Sequence, residues 1–481
     1  MPASSAPPIR FSRERLALFH AAFVVIVSAW LLGGIGTRGE WFVAILAAPA
    51  YALLFAEARA RRRAGDRAGL RRLIRWTAPL VALAVFVIVS ALNPSHRPAF
   101  IYDGYVLRPV PHISWLPASA APTGSLRLLA CFDGLAATGL NIAFCVHSRR
   151  ALRALILALS LNALALAVLG TLQQQTGAEG PFFGAVAKVN DAWFSTFLYH
   201  NHWGAFAVLH AAATLALVFH SLRQPPDRGW LHGPGPLLAL VALLIAVTPP
   251  LSTSRSTTVL MLFLAVGAII AALRHALRSA RRRGSRRAGL IRVTAVVGFV
   301  LAAGVLLAFQ GRDVITARLA DTRDQLSALQ DGRVGYTRAE LYADTWHMAA
   351  DKPVFGWGLE SYGPIFLHYS RFKPRSDGLM NTFVDAHSDW LQSLAEIGFV
   401  GTSLLLALGL LPFLETFRFS RLSPFSAWLL AGCALIAAYA WLEFPFANPA
   451  VVATWWILWF VALRTLQLTP SSTPQNSSSR A

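Results

Sequence analysis

Four groups of polar side chains interrupt an otherwise apolar sequence, and each combines residue types that can move protons or hold anions. They are Tyr199-His200-Asn201-His202, Ser252-Thr253-Ser254-Arg255-Ser256, Arg338 with the stretch running on to Gly358, and Asp385-Ala386-His387-Ser388-Asp389. An imidazole titrates near neutrality and can take or orient a hydroxyl proton. A guanidinium keeps its charge and grips phosphate or carboxylate oxygens through a planar fork. His387 stands where a loop meets a helix, a place with free backbone N–H groups. Beyond it Asp389, Gln392 and Glu396 recur at i, i+3 and i+7, a polar stripe descending one helix face. Lipid exposure of such a stripe is costly, so it should face the bundle or a wet cavity.

Each of these residues also has an ordinary reading. Arg255 serves as an interfacial anchor if its guanidinium reaches headgroups, although a charge in so short a turn between apolar spans is expensive unless paired or used. Arg338 is one of nine basic residues between positions 311 and 387, and His200 and His202 could equally cap a helix. Asp385-x-His387-x-Asp389, if extended, would put three ligand-type side chains on one face and could chelate a divalent metal. No second His or Cys cluster stands at metal spacing, so neither a metal nor another cofactor is assigned.

The elements that must position these groups are membrane helices. Of 481 residues, 55% are apolar and 14% charged, with a mean hydropathy of +0.51. An ordinary soluble domain carries about 25% charged residues. The apolar residues fall in blocks of roughly 17–22, long enough at 1.5 Å per helical residue to cross a ~30 Å hydrocarbon core. The pattern predicts an all-α polytopic membrane protein with about 12 transmembrane helices. They lie near 16–35, 41–57, 75–92, 126–146, 152–172, 203–221, 236–251, 257–273, 291–310, 388–411, 424–443 and 450–466. A soluble globule, a disordered chain and a secreted disulfide scaffold are excluded. Cys131, Cys145 and Cys433 all fall in predicted spans, which leaves no disulfide framework.

A net charge of +20 would suit nucleic acid, but placement argues otherwise. The basic residues cluster in short gaps between spans, notably Arg59–Arg75 and Arg274–Arg292, as cytoplasmic loops do. No nucleic-acid role is assigned, and both termini are placed in the cytoplasm. Residues 1–15 form a cytoplasmic N-terminus with no small-residue cleavage site after it, so the first span is expected to be retained. Spans one to nine occupy 16–310, a long extracytoplasmic loop occupies 311–387, and spans ten to twelve occupy 388–466. The Ser-, Thr- and Pro-rich tail, 467–481, is expected to be disordered. The long loop carries ten acids against nine bases, with helical stretches expected at 312–329 and 339–350. In this topology all four polar groups converge on the outer face.

Several of these residues also carry a family resemblance. His387-Ser388, nine residues, then Gly398-Phe399-Val400-Gly401 matches the H-[N/S/Q]-x9-G-x-x-G signature of bacterial O-antigen ligases. Arg338 to Tyr342, Asp351-Lys352-Pro353, Gly356-Trp357-Gly358 and Tyr362 resemble the R-x3-W … D-x-P-x-x-G-x-G … F pattern of the wider O-antigen ligase and polymerase superfamily. Ser254-Arg255-Ser256, Ser195-Thr196-Phe197 with Asn201-His202, and Gly170-Thr171-Leu172-Gln173 resemble further motifs in the same order. The chain departs from the pattern at Tyr199-His200, where the family usually has Asn-Pro, and at Tyr342, where Trp is common.

The resemblance implies a metal-independent glycosyltransferase of the bacterial cytoplasmic membrane, acting at its outer face. It would move a glycan from a polyprenyl-diphosphate carrier to an acceptor hydroxyl on a glycan, lipid or protein, with membrane lipid around it. Arg255 and Arg338 would stabilise the diphosphate leaving group, and His387 would act as base or orient the acceptor. Asn201, His202, Asp385, Asp389 and Gln392 would line the substrates, with Asp389 or Asp385 fixing the His387 tautomer. Polymerases and O-linked oligosaccharyltransferases share the superfamily, and the histidine motif leans toward ligase. The rival from another class is a transporter of lipid-linked sugars, against which stand the few charges inside the spans, chiefly Asp133 and Glu396.

Overall fold

The computed structural model describes residues 12–101, 104–222, 233–283, 337–371, 383–418 and 422–469. The predicted span at 291–310, the expected helix at 312–329, Arg333 and most of the tail lie outside the described residues. Helices dominate the rest. They are α1 (Arg13–Trp30), α2 (Thr37–Ala47), α3 (Pro49–Arg63), α4 (Arg67–Leu92), α5 (Pro122–Cys145), α6 (Arg149–Gln175), α7 (His200–Ser221), α8 (Gly235–Ala246), α9 (Thr248–Leu251) and α10 (Arg255–Arg283). After the undescribed stretch come α11 (Arg338–Asp351), α12 (Tyr362–Phe366), α13 (Asp389–Phe417), α14 (Pro424–Tyr439) and α15 (Pro449–Gln467).

Eight helical segments among the described residues are long and apolar enough to cross a membrane, α2 and α3 counting as one of them. Two shorter apolar segments, Gly235–Leu251 and Pro424–Tyr439, accompany them. Helix α1 has 18 residues but opens on Arg13, Glu14 and Arg15. The centre of the bundle is α7, α15 and α5, whose faces are buried almost all round. Close approach there depends on small residues, as is usual between membrane helices. A Cβ on Gly139 of α5 would lie 2.8 Å from the Phe460 ring of α15, and one on Gly432 of α14 would lie 2.6 Å from Ala212 of α7.

Two features differ from the sequence expectation. The architecture is not purely α, because β1 (His96–Ile101) and β2 (Gly104–Pro109) pair antiparallel just after α4. Phe100, Ile101, Tyr105 and Val106 are residue types that favour the extended backbone. The eleventh span, expected at 424–443, stops as a helix at Tyr439. The four residues that follow form a turn with Leu442 and Glu443 N–H groups bonded back to the Tyr439 carbonyl at 2.8 and 3.1 Å.

The connection between α6 and α7 is pinned by buried side chains. The Ser195 hydroxyl donates to the Leu166 carbonyl and the Thr196 hydroxyl to the Ala29 carbonyl, both at 2.7 Å. The fully buried Gln173 amide accepts from the Phe182 and Phe183 N–H groups and donates to the Ser195 carbonyl. These contacts fix the approach to His200, where α7 begins.

Candidate functional site

The turn after α14 brings a buried carboxylate, Glu443, to the end of the bundle that also carries the start of α7, α11 and the start of α13. Its side chain is 1% exposed and accepts from three partners. Arg338 donates through one guanidinium nitrogen, His387 approaches through Nδ1 at 3.3 Å, and the Tyr199 hydroxyl lies at 3.5 Å. A second Arg338 nitrogen donates to the Leu442 carbonyl at 2.9 Å.

Local sequence explains why Arg338 stands there. Thr337 and Glu340 form a capping box that fixes the first turn of α11, with the Glu340 carboxylate accepting from the Thr337 N–H at 2.7 Å. One turn on, the Tyr342 hydroxyl donates to the His387 carbonyl at 2.9 Å and approaches the Leu442 carbonyl at 3.3 Å. His387 itself has φ +49°, a left-handed backbone that a residue with a side chain adopts at a cost. It is held by that Tyr342 bond, by the Ser388 N-cap of α13 and by the Asp389 N–H, which donates to the Glu443 carbonyl at 3.2 Å.

Phe444 is the shared wall. Its ring stacks on Tyr199 with centroids 5.3 Å apart and meets His202 and His387 edge-on at 5.2 and 4.7 Å. His202 Nε2 lies 3.1 Å from the Phe444 carbonyl, and the Asp389 carboxylate accepts from the Phe446 N–H at 2.9 Å. Asn201 donates to the Tyr199 hydroxyl at 2.7 Å and accepts from Ser254 at 2.5 Å. Ser256 and Tyr439 pair through their hydroxyls at 2.9 Å. Arg255, with its exposed side chain, therefore sits between two residues that are each anchored to this site.

On the other side of His387 the polar stripe faces protein, as its periodicity requires. Gln392 accepts from the Ala386 N–H at 3.0 Å and donates toward Glu396, which also accepts from the Tyr362 N–H at 3.0 Å. Asp385 hydrogen-bonds Gln392. The helix then breaks at Gly398, with φ +60° and ψ −168°. The stranded backbone groups find partners in residues 353–358. The N–H groups of Phe399 and Val400 donate to the Pro353 and Val354 carbonyls, and those of Trp357 and Gly358 donate to the Ala395 and Glu396 carbonyls, at 2.7–3.1 Å. Such satisfaction is obligatory for a broken helix shielded from water. Gly356, at φ +69°, leaves no room for a side chain, since a Cβ would lie 2.4 Å from the Glu396 backbone. The glycines of both sequence motifs thus build one brace under His387.

Charge follows geometry. Burial works to raise the Glu443 pKa, but the His387 hydrogen bond and the Arg338 charge outweigh it and hold the carboxyl below its usual range. Burial likewise opposes the Arg338 charge, and Glu443 more than restores it. At Asp385 burial outweighs the His387 charge and the Gln392 hydrogen bond and pushes the pKa up to about 6. Among the described residues no group of three or more His, Cys, Asp or Glu side chains is arranged to hold a metal ion.

Arg338, His387, His202, Asn201 and Asp389 thus surround the Glu443–Phe444 turn, Arg255 flanks it, and Asp385 and Gln392 lie on the adjoining side. The carboxylate against His387 Nδ1 is Glu443, not Asp389, which is engaged with Phe446, and not Asp385. Sequence reasoning passed over Glu443 because it ends an apolar block. The available signal was its isolation, since no other acid follows Glu415 in the chain.

Residues 239–406 match the family model described as O-antigen ligase. The matched stretch contains Arg255, Arg338 and His387 and ends before Glu443. It supports the O-antigen ligase superfamily, and the chain also carries eight helical segments, among the described residues, long and apolar enough to cross a membrane. No curated protein matches the chain.

Proposed function

We propose that the protein transfers a glycan from a polyprenyl-diphosphate carrier to an acceptor hydroxyl at the outer face of the bacterial cytoplasmic membrane, in the manner of an O-antigen ligase, with both termini in the cytoplasm. One observation carries this reading: Glu443 holds a permanent cation, Arg338, and a titratable base, His387, on the same carboxylate. With the Nδ1 hydrogen directed at Glu443, His387 presents the Nε2 lone pair to the acceptor hydroxyl. The acceptor oxygen forms the new bond to the anomeric carbon as its proton passes to Nε2. The bond from that carbon to the diphosphate oxygen breaks, and the electron pair leaves with the diphosphate.

Negative charge grows on the leaving group, and the arginines answer it. The Arg338 side chain is 53% exposed despite its pairing, so donors beyond those used on Leu442 and Glu443 remain for phosphate oxygens. Arg255 supplies the second charge from the head of α10. Such electrostatic stabilisation is commonly worth about 10²–10³-fold per donor and takes the place of a divalent metal. Below Arg255, an apolar groove of about 410 Å³ runs between α10 and α14, lined by Phe263, Leu264, Gly267, Trp428 and Leu435 among others. Phe263 is two turns down from Arg255, roughly 12 Å by the helical rise. A polyprenyl tail in this groove would present its diphosphate to Arg255.

A deletion strain tests the reading. Loss of a ligase leaves polymer on its carrier, whereas loss of a polymerase leaves single repeat units on the surface and would overturn the ligase assignment. In proteoliposomes, transfer should persist in chelator. Turnover that is lost in chelator and restored by Mg²⁺ or Mn²⁺ would contradict the arginine mechanism.

A further inference from the structure

The β1–β2 hairpin lies outside every motif discussed above, and its register carries an unfavourable pairing. Arg97 and Arg108 are directly opposite across the two strands, and both are exposed. Directly opposed residues of an antiparallel pair project from the same face with Cβ atoms about 4.5–5.5 Å apart, and like charges there destabilise the pair. No acidic side chain offsets them among the described residues, where neither arginine forms an ion pair. The opposite face of the hairpin packs inward, with Leu107 against the cluster around Trp357 and His96 at 6.0 Å from the Trp357 ring. Burial and then the charges of Lys352, His368 and His112 all act against protonation of His96, and no carboxylate counters them.

The hairpin is fastened to the site. The Ser95 N–H donates to the Ser119 carbonyl and the Ser119 N–H to the Asn93 carbonyl, and the Ala120 N–H donates to the Trp357 carbonyl at 2.9 Å. Gly358 packs on Ser119 so closely that a Cβ would lie 2.5 Å from its backbone. Residues 357–358 are the same ones that brace α13 below His387, so whatever the hairpin holds is held in fixed register with the proposed catalytic residues.

We propose that Arg97 and Arg108 form an anion-binding fork for a phosphate- or carboxylate-bearing glycan segment of one of the substrates. Two guanidinium groups on directly opposed strand positions suit the paired oxygens of such a group, and binding relieves the repulsion that the free hairpin carries. A fork braced to the loop under His387 serves substrate positioning, which favours a glycan over bulk lipid headgroups as its occupant. The proposal rests on the glycan-transfer reading only for the choice of probe, and its test needs no turnover.

The full-length protein in phosphatidylcholine nanodiscs is titrated with hexagalacturonate, using maltohexaose as the neutral control. Hexagalacturonate should bind at least about tenfold more tightly than maltohexaose, and the Arg97→Gln/Arg108→Gln double variant should lose that advantage. Arg97→Lys/Arg108→Lys should recover part of it, because charge returns without the fork. Melting temperature of the Gln variant should not fall, since a repulsive pair has been removed. Unchanged hexagalacturonate affinity in the Gln variant, or a lower melting temperature, overturns the proposal. So does a wild-type protein whose hexagalacturonate binding disappears once phosphatidylglycerol is added to the nanodisc, because the fork then serves lipid headgroups. Arg338→Ala should bind hexagalacturonate normally even if it abolishes transfer, which separates this proposal from the catalytic reading.

Discussion

Two arginine–carboxylate clusters stand at the same end of the bundle, and they use their charge in opposite ways. Arg127 of α5 lies between Glu40 of α2 and Glu360 of the segment before α12, with its side chain only 12% exposed. Two carboxylates surround one guanidinium. Arg338 shares its single carboxylate with a histidine and keeps 53% of its side chain open. The first arrangement consumes the arginine as a cross-link between helices and loop. The second leaves it half committed and able to meet an incoming anion. An arginine's role here follows from how many of its donors the protein has already used.

Variants that abolish chemistry without touching the fold separate the two clusters most strongly. Arg338→Ala and His387→Ala should each lower turnover by about 10²-fold or more at unchanged membrane abundance. Their combination should cost little beyond the worse single change, because both act in one transition state. Arg127→Ala should behave in the opposite manner. Removing it strands two carboxylates, a loss of about 3–5 kcal/mol of stability for a buried pair. Abundance and melting temperature should collapse, while turnover per folded molecule should change far less. If Arg127→Ala instead folds normally and is inactive, the distinction between the clusters fails.

Glu443→Gln gives an intermediate effect. Turnover should fall roughly tenfold at unchanged membrane abundance, because the carboxylate that orients the His387 ring is gone. Wild-type turnover in this variant would separate Glu443 from the base. The smallest effect belongs to Asp385. Its folded pKa of about 6 exceeds the ordinary 3.8. A raised carboxyl is best tolerated below 3.8, and its stability contribution is lost as pH rises through 6. Asp385→Asn should therefore flatten the fall in melting temperature between those limits, and a variant that still shows the fall would assign it to another group.

Particular residues show how far the sequence speaks for the site. Gly356, Gly358 and Gly398 were legible because each needs its residue type where it stands, for a left-handed backbone and a close approach. The polar stripe of Asp389, Gln392 and Glu396 was legible because helical periodicity puts the three on one face. Glu443 was not, because its partners are 56 and 105 positions away and only tertiary packing brings them together. The hairpin escaped for a different reason. Apolar block length detects membrane helices, and a short strand pair carrying two prolines and two arginines leaves no such trace. The end of α14 was read four residues too far, since Trp441 and Leu442 extend the apolar run beyond the last helical turn.

If Arg338 holds the leaving diphosphate through its planar fork, turnover depends on that geometry and not on charge alone. Turnover of polyprenyl-diphosphate-linked glycan is measured in proteoliposomes for Arg338→Lys beside Arg333→Ala, five positions away in the sequence. Lysine keeps the charge and loses the fork, so Arg338→Lys should fall by about 10²-fold, while Arg333→Ala should remain close to wild type. A fully active Arg338→Lys beside an inactive Arg333→Ala would contradict the account and transfer the role to Arg333.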